Sequence, residues 1–377
     1  MISTFKNFNQ PKRVMIPVKD IKTTLKVDDA VKIGSTLDSH GNIYATVSGT
    51  VKQIIEHLTM DNQPMTHVII ENNQRNTVAT SVKKMHESTR IEKFFKPVHN
   101  IEQIHFTGMD TLIVDLIYYD EPFVTIDKKF LEDHIGGIQN ALSRLYDHYN
   151  FKNCFILVKD EDDITFDEAT DFPYQMIAIK PEKHVDFRYK MINKTFHNAL
   201  MKNQPYNYLM VESILKLDEI ITHERPPVNN RFVIQGEVIQ HPTVLFVRVG
   251  TIFSDIKRIF GGYTTELPIT MHKNMRIENT VVKNEAFAIT DDLAGIYVQE
   301  HREREIYECI ACGRCNTKCP AGILPSKIMH AVEHEIYLER MRTDLCIECG
   351  LCSFYCPSKI PVMGFVKKAK TRLKEGQ

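Results

Sequence analysis

Two short stretches near the end of the chain carry residues whose types and spacing could do chemistry. The first is Cys309-Ile-Ala-Cys312-Gly-Arg-Cys315-Asn-Thr-Lys-Cys319-Pro320, and the second is Cys346-Ile-Glu-Cys349-Gly-Leu-Cys352-Ser-Phe-Tyr-Cys356-Pro357. Each reads C-x2-C-x2-C-x3-C-P, a spacing suited to a 4Fe–4S cube. Three closely spaced thiolates wrap one cluster, and the fourth cysteine, three residues further on, ligates the other. This rule assigns Cys309, Cys312, Cys315 and Cys356 to one cluster, and Cys346, Cys349, Cys352 and Cys319 to the second. Gly313 and Gly350 are expected to let the backbone approach closely, and Pro320 and Pro357 to turn the chain away. The competing metal is zinc, but structural zinc uses two C-x2–4-C pairs per ion rather than doubled four-cysteine runs ending in proline. Two clusters with interlocked ligands would form a relay for single electrons.

The elements around these runs must come from a chain of 377 residues, a length that suits two to four domains. Eight of its nine cysteines lie in the two runs, and the opening MISTFKNFNQPKRVM has no apolar signal region, so secretion and a disulfide framework are not expected. Hydrophobic residues make up 43% and charged residues 25%, enough to build ordinary cores. A net charge of −1 provides no global field for nucleic acid or an anionic membrane. The longest apolar stretches, TLIVDLIYY and VLFVRVGTIF, are interrupted by Asp115 and Arg248 and fall short of the roughly 20 residues of a spanning helix. A cytoplasmic protein is expected, with any membrane association peripheral and through a partner.

Along the chain, residues 14–72 read as short β segments separated by turn signals at Asp28-Asp29, His40-Gly41-Asn42, Ser48-Gly49 and Asp61-Asn62, suggesting a small flattened barrel. Residues 74–100 are polar and without clear periodicity, and read as a connector. From 110 to 225, strands DTLIVDLIYY, CFILVKD and MIAIK alternate with helices FLEDHIGGIQNALSRLYDHYNF and YNYLMVESILKLDEII, which favours α/β. After Arg225-Pro226-Pro227, RFVIQGEV, TVLFVRVG and a helical SDIKRIFGGY form a strand–strand–helix unit, with AFAIT and GIYVQ as further strands. Residues 301–377 read as helical and cysteine-bearing. The 26 residues between Cys319 and Cys346 include a helix with Leu324, Ile328, Val332 and Ile336 on one face, which suggests the α-helical dicluster type.

Taken together, these residues resemble the RnfC-type subunit of membrane-bound ferredoxin:NAD oxidoreductase complexes and its soluble PrdC-type relatives. ATVSGTVKQI (45–54) stands where the family has A-x-V-S-G-x-V, and TLIVDLIYYDEPFVTIDKKFL (111–131) resembles its flavin-domain strand, helix and Glu-Pro motif. RFVIQGEV with VRVGTIFSDIKRIFGGY resembles its ligand-binding β-grasp (SLBB) domain, and the two cysteine runs match throughout. The resemblance implies a multidomain α+β protein. Its parts are a barrel-sandwich hybrid at 1–75, a connector at 76–106, a flavin-type α/β domain at 107–224, a β-grasp at 225–298 and a dicluster ferredoxin at 299–377. The partners it implies are ferredoxin-like donors or oxidoreductase subunits, not nucleic acid.

The departures bear on flavin. The family's glycine-rich loop, G-x-G-G-A-G-F-P-T, is replaced by FKPVHNIEQIHFTGMD (95–110) with the single Gly108, and phosphate cradling needs several glycines. A second glycine-rich stretch is replaced by NALMKNQPYNYL. The acidic pair of the family survives only as Tyr119-Asp120-Glu121-Pro122, which leaves Glu121 as a remnant of the flavin site. Two readings of 107–222 follow: a scaffold that has lost its flavin site, which is favoured, or a site whose phosphate contacts come from another loop. On the second, the chain would be an FMN-dependent NADH dehydrogenase subunit. The only local glycine pair, Gly136-Gly137, reads as a helix irregularity.

Other residues read as structural. Cys154 is expected as a small buried hydrophobe, and Lys52 is not at a hairpin tip where a carrier lysine would sit. KKAKTRLKEGQ is a basic helix face, solvated or docking an acidic partner. The 16 histidines are scattered, with no H-x3-H pair read as a metal site. No acid–base or nucleophilic constellation is found.

Overall fold

The structure is a computed structural model that describes residues 5–96, 110–117, 128–159, 164–166, 172–179, 206–266, 269–273, 280–281, 284–301, 305–334 and 339–375. Within them the protein is mixed α+β, built on three sheets and a helical, cysteine-bearing segment.

The chain opens with β1 (Phe5–Phe8), then β2 (Arg13–Val18), β3 (Ala30–Val31), β4 (Gly49–Leu58) and β5 (Pro64–Asn72). Strands β2 to β5 make an antiparallel sheet in the order β2-β5-β4-β3. Val14, Ile16, Val18, Val51, Val68 and Ile70 alternate inward onto one core, as strands with one buried face must. β1 is not part of this sheet; it lies parallel to a strand more than 230 residues later, Phe5 opposite Val244.

Two helices follow, α1 (Thr80–Lys83) and α2 (Glu87–Phe94), inside the stretch read as a connector. Its polar composition hides an anchored face, because Ile91 and Phe94 are buried in the main core and Arg90 reaches back to the Met85 carbonyl. That core lies on one side of a parallel sheet of β6 (Thr111–Asp115), β7 (Asn153–Lys159), β8 (Gln175–Ile179) and β9 (Asn207–Met210), in the order β8-β7-β6-β9. Helices α3 (Lys128–Tyr149) and α4 (Val211–Thr222) cover this side. The segment YNYLMVESILKLDEII, expected as a single helix, begins as strand β9 and turns helical only at Val211. Leu209 faces the helices and Tyr208 and Met210 the opposite core, and only a strand can serve both at once.

Beyond α4 come β10 (Asn229–Gly236), β11 (Thr243–Arg248), α5 (Phe253–Ile256), β12 (Ile269–Lys273), β13 (Thr280–Val281) and β14 (Gly295–Glu300). They form a mixed sheet ordered β1-β11-β10-β14-β12-β13, with β10 and β14 parallel. The helix expected over SDIKRIFGGY ends after one turn, and Gly261 and Gly262, at φ +78° and +79°, reverse the chain. AFAIT makes only an isolated bridge, Ala288 to Ile252. The last segment holds α6 (Arg314–Thr317), α7 (Pro325–Glu333), two 3-10 turns at Glu339–Met341 and Thr343–Leu345, α8 (Leu351–Phe354) and α9 (Val362–Glu375). No described helix is long and apolar enough to cross a membrane.

Candidate metal centre

The two cysteine runs adopt the same backbone, offset by the 37 positions from Cys309 to Cys346. Ala311 and Gly313 have left-handed φ of +53° and +69°, and their counterparts Glu348 and Gly350 have +58° and +79°. After the proline, Gly322 and Lys359 are again matched at +68° and +59°. Gly313 and Gly350 serve as the residues before α6 and α8. A Cβ on Gly313 would meet nothing within 4 Å, so its glycine is required by the left-handed turn, not by close approach to protein atoms. Successive turns of this kind point backbone N–H groups inward and build an anion-binding concavity. One such amide, Glu348 N–H, already lies 3.4 Å from the Cys346 sulfur.

Each run is tied to the helix after it in the same way. The Ser326 amide donates to Asn316 Oδ1 at 3.1 Å, and the Met363 amide donates to Ser353 Oγ at 2.8 Å. These pairs are also equivalent under the 37-residue offset. α7 and α9 then pack together through Ile328, Val332, Val362 and Val366 in the core beneath the cysteines. Of the helical face expected between the runs, Ile328 and Val332 are buried, but Leu324 precedes α7 and is exposed, and Ile336 lies outside the described residues.

The runs cross over. The Tyr307 amide, just before the first run, donates to the Ser358 carbonyl just after the second, at 3.0 Å. Burial is the main cause that raises the Cys315 thiol pKa, and the charges of Cys356 and Cys309 add to it. Cys352 is pushed up to about 12, first by burial and then by Cys346, with Cys319 contributing. Burial, with a smaller effect of Cys319, also raises Cys346, against Lys370, which lowers it. So Cys309 and Cys356 each lie within electrostatic reach of Cys315, and Cys319 within reach of Cys346 and Cys352. Cys319, Cys346, Cys349 and Cys352 together line one pocket, closed by Pro320, Ile323, Ile347, Met363 and Val366.

The donor set fits a large thiolate-bound cluster better than a single ion. Zinc–sulfur bonds of about 2.3 Å place tetrahedral sulfurs about 3.8 Å apart. Among the described residues, the group of three His, Cys, Asp or Glu ligand atoms gathered within 4.8 Å is His330, Glu333 and His334, not a set of cysteines. His330 and His334 are an H-x3-H pair that is not read as a metal site from the sequence. Its signal, the helical spacing of His330, Glu333 and His334, is there, but only the helix boundaries show that all three are exposed on one turn.

The two halves of the site differ in surroundings. Cys309 and Cys312 are exposed, beside Ile306, Tyr307 and Ile310, which are 60–67% exposed. The second run is the buried one. Ile347, Cys349 and Leu351 pack on Ile113, Ile117, Tyr208 and Met210, the face of the parallel sheet opposite α3 and α4. Below them, Tyr208 donates a 2.5 Å hydrogen bond to Asp115, whose other oxygen takes the Ile117 amide. Lys370 of the basic C-terminal helix is no free surface charge. It donates to the Cys346 carbonyl at 2.7 Å and to Glu348 at 2.8 Å.

Of the remaining residues, Cys154 is buried in β7 with its pKa raised by burial to about 12, an inert thiol. Lys52 lies along β4 and pairs with Glu71 at 3.4 Å. Gly136 and Gly137 are inside α3, where a Cβ on Gly137 would fall 2.7 Å from Asp218 of α4. Glu121 and the stretch replacing the glycine loop, from 97 to 109, lie outside the described residues.

Three curated relatives share part of this sequence. The C-type subunit of the ion-translocating oxidoreductase complex of Methanosarcina acetivorans is 25% identical over 166 residues, 41% of this chain and 36% of the relative. The protein of the same name from Rhodobacter capsulatus is 23% identical over 229 residues, 55% of this chain and 43% of the relative. The C-type subunit of the proton-translocating ferredoxin:NAD(+) oxidoreductase complex of Clostridium ljungdahlii is 24% identical over 132 residues, 34% and 29% of the two chains. The chain is RnfC-like. This RnfC-like chain thus matches less than half the length of each of those relatives. No protein-family model matches it. Among solved structures, an NAD+-reducing [NiFe]-hydrogenase in the H2-reduced state aligns at a TM-score of 0.45 and 8% identity, over 78% of this chain and 62% of that one. The air-oxidized state aligns at 0.43 and 7%, over 78% and 65%. At these TM-scores the likeness carries no argument.

Proposed function

We propose that the RnfC-like chain relays single electrons between redox partners through two 4Fe–4S clusters. The observation that carries this reading is the crossing of the two runs: Cys319 of the first lines one pocket with Cys346, Cys349 and Cys352 of the second, and the Tyr307 amide before the first run donates to the Ser358 carbonyl after the second. Cys309, Cys312, Cys315 and Cys356 hold the first cluster, and Cys346, Cys349, Cys352 and Cys319 the second. The clusters supply one-electron redox chemistry. The protein's part is to fix the thiolates on left-handed turns, aim amides such as Glu348 N–H at the sulfurs, and set how much water reaches each side. Exposed Cys309 and Cys312, within an apolar collar of Ile306, Tyr307 and Ile310, make the first cluster the port to an external protein. The second, pressed on the parallel sheet, is the inner station.

Within this reading the antiparallel sheet is a barrel-sandwich domain, the parallel sheet a flavin-type domain that has lost its cofactor, and the mixed sheet an SLBB-like β-grasp. The parallel pairing of β10 with β14 supports the last of these. The names of the relatives support a place in an oxidoreductase complex; peripheral attachment at the cytoplasmic face of a membrane belongs to the same proposal.

Anaerobic purification followed by iron, sulfide, zinc and flavin analysis tests the proposal. About eight irons per chain without flavin is the expected result. Zinc in place of iron, or fewer than about four irons, sinks the cluster assignment. One bound FMN and bleaching by NADH would replace the relay with the dehydrogenase reading. For the wiring, Cys356→Ser should alter the EPR signal of the first cluster; a change confined to the second means that the ligands are not crossed.

A further inference from the structure

The exposed face of α7 carries a group that the cysteine chemistry does not use. His330, Glu333 and His334 follow the i, i+3, i+4 spacing that places side chains on one helical face. Their ligand atoms lie within 4.8 Å of one another, and the two imidazole rings are 4.2 Å apart. All three residues are exposed. The opposite face of the same helix is held firmly, with Ile328, Met329, Ala331 and Val332 buried and the Val332 carbonyl capped by Arg372 at 3.4 Å. α7 therefore holds His330 and Glu333 on a fixed backbone, and the His334 amide, one residue past the helix, is tied to the His330 carbonyl, so little chain entropy is lost when a metal joins them.

We propose that His330, Glu333 and His334 form a surface site for a divalent transition metal of the zinc class, separate from the cysteine-bound clusters. Two imidazoles and a carboxylate are borderline donors that suit zinc, cobalt, nickel or copper rather than magnesium or calcium. Three protein ligands leave a coordination position to water or to a side chain from a partner. The metal staples the last turn of α7, where the chain leaves the first half of the cysteine segment for the second. The site does not depend on what the cysteines hold.

The test is calorimetric titration of ZnCl2 into the anaerobically purified full chain with its cysteine sites filled, their metal content measured before and after. The expected result is one zinc per chain, with the cysteine-bound metal unchanged. His330→Ala and His334→Ala should each weaken binding at least tenfold, and Glu333→Gln by a smaller factor. Because the three side chains are exposed, the variants should keep the wild-type metal content and far-UV circular dichroism, which separates loss of the site from loss of the fold. No saturable zinc binding to the wild-type chain, or an unchanged affinity in a His330→Ala/His334→Ala double variant, overturns the proposal.

Discussion

Asn316 and Ser353 occupy the same place in the two cysteine runs and do the same job with different chemistry. Each follows the third cysteine of its run and accepts an amide hydrogen from the first turn of the next helix, at 3.1 Å and 2.8 Å. Those amides belong to the donors that a helix leaves unsatisfied at its start. Asn316→Ala and Ser353→Ala should therefore each lower stability by about 1 kcal/mol, read from urea midpoints under anaerobic conditions. An effect near zero for both would mean that water replaces them. The cysteines were legible because cluster spacing is a local property of the chain. Asn316 and Ser353 were not, since nothing links an amide to a hydroxyl until the repeated backbone superposes them. Lys370 was read as part of a basic face for a similar reason. Its hold on the Cys346 carbonyl spans 24 positions and exists only once α9 is docked.

Between elements, the two kinds of glycine behave in opposite ways. Gly49 pairs with Asn72, and a Cβ there would lie 1.8 Å from the Glu71 carbonyl oxygen, a backbone atom that cannot swing away. Gly136, on α3, would place a Cβ in open space. Gly49→Ala should cost about 3 kcal/mol or more because β4 and β5 must part, whereas Gly136→Ala should stabilise by about 0.5–1 kcal/mol by relieving backbone entropy. Thermal or urea denaturation of the two variants checks the signs, and a tolerated Gly49→Ala would contradict the close approach. Strands β6, β7 and β8 and helix α3 could be read from apolar runs and helical spacing. α2 could not, because its buried Ile91 and Phe94 are too few to rise above a polar stretch. β9 was hidden by the helix that follows it, since four residues give almost no periodicity to distinguish a strand.

Across the whole molecule, Arg248 is the charge that broke an otherwise apolar run, and the structure shows why it is there. It ends β11 in the mixed sheet and donates to the Asn9 carbonyl at 3.0 Å, the Thr46 carbonyl at 3.4 Å and Asn76 Oδ1 at 3.1 Å, all from the antiparallel unit or its flanks. Burial brings its pKa down to about 10, so it remains charged at neutral pH. The Thr46 hydroxyl to Val249 carbonyl bond, at 2.6 Å, and the Met15 amide to Gly250 carbonyl bond, at 2.7 Å, complete the joint. Arg248→Leu should cost about 2–4 kcal/mol by leaving those carbonyls unpaired, and cluster content should be unchanged because none of these hydrogen bonds goes to the cysteine-bearing segment. An unchanged urea midpoint would show that the two sheets are held by apolar contact alone. By itself, the sequence determined the two cysteine runs, the mixture of strands and helices, and the RnfC-like resemblance, because each rests on spacing within a few residues or on short patterns. Only the tertiary structure decided that the second run lies buried on the parallel sheet while Cys309 and Cys312 face outward, and that His330, Glu333 and His334 share an open helical face. Those are properties of which surfaces meet, and surfaces brought together across tens or hundreds of residues leave no local pattern to read.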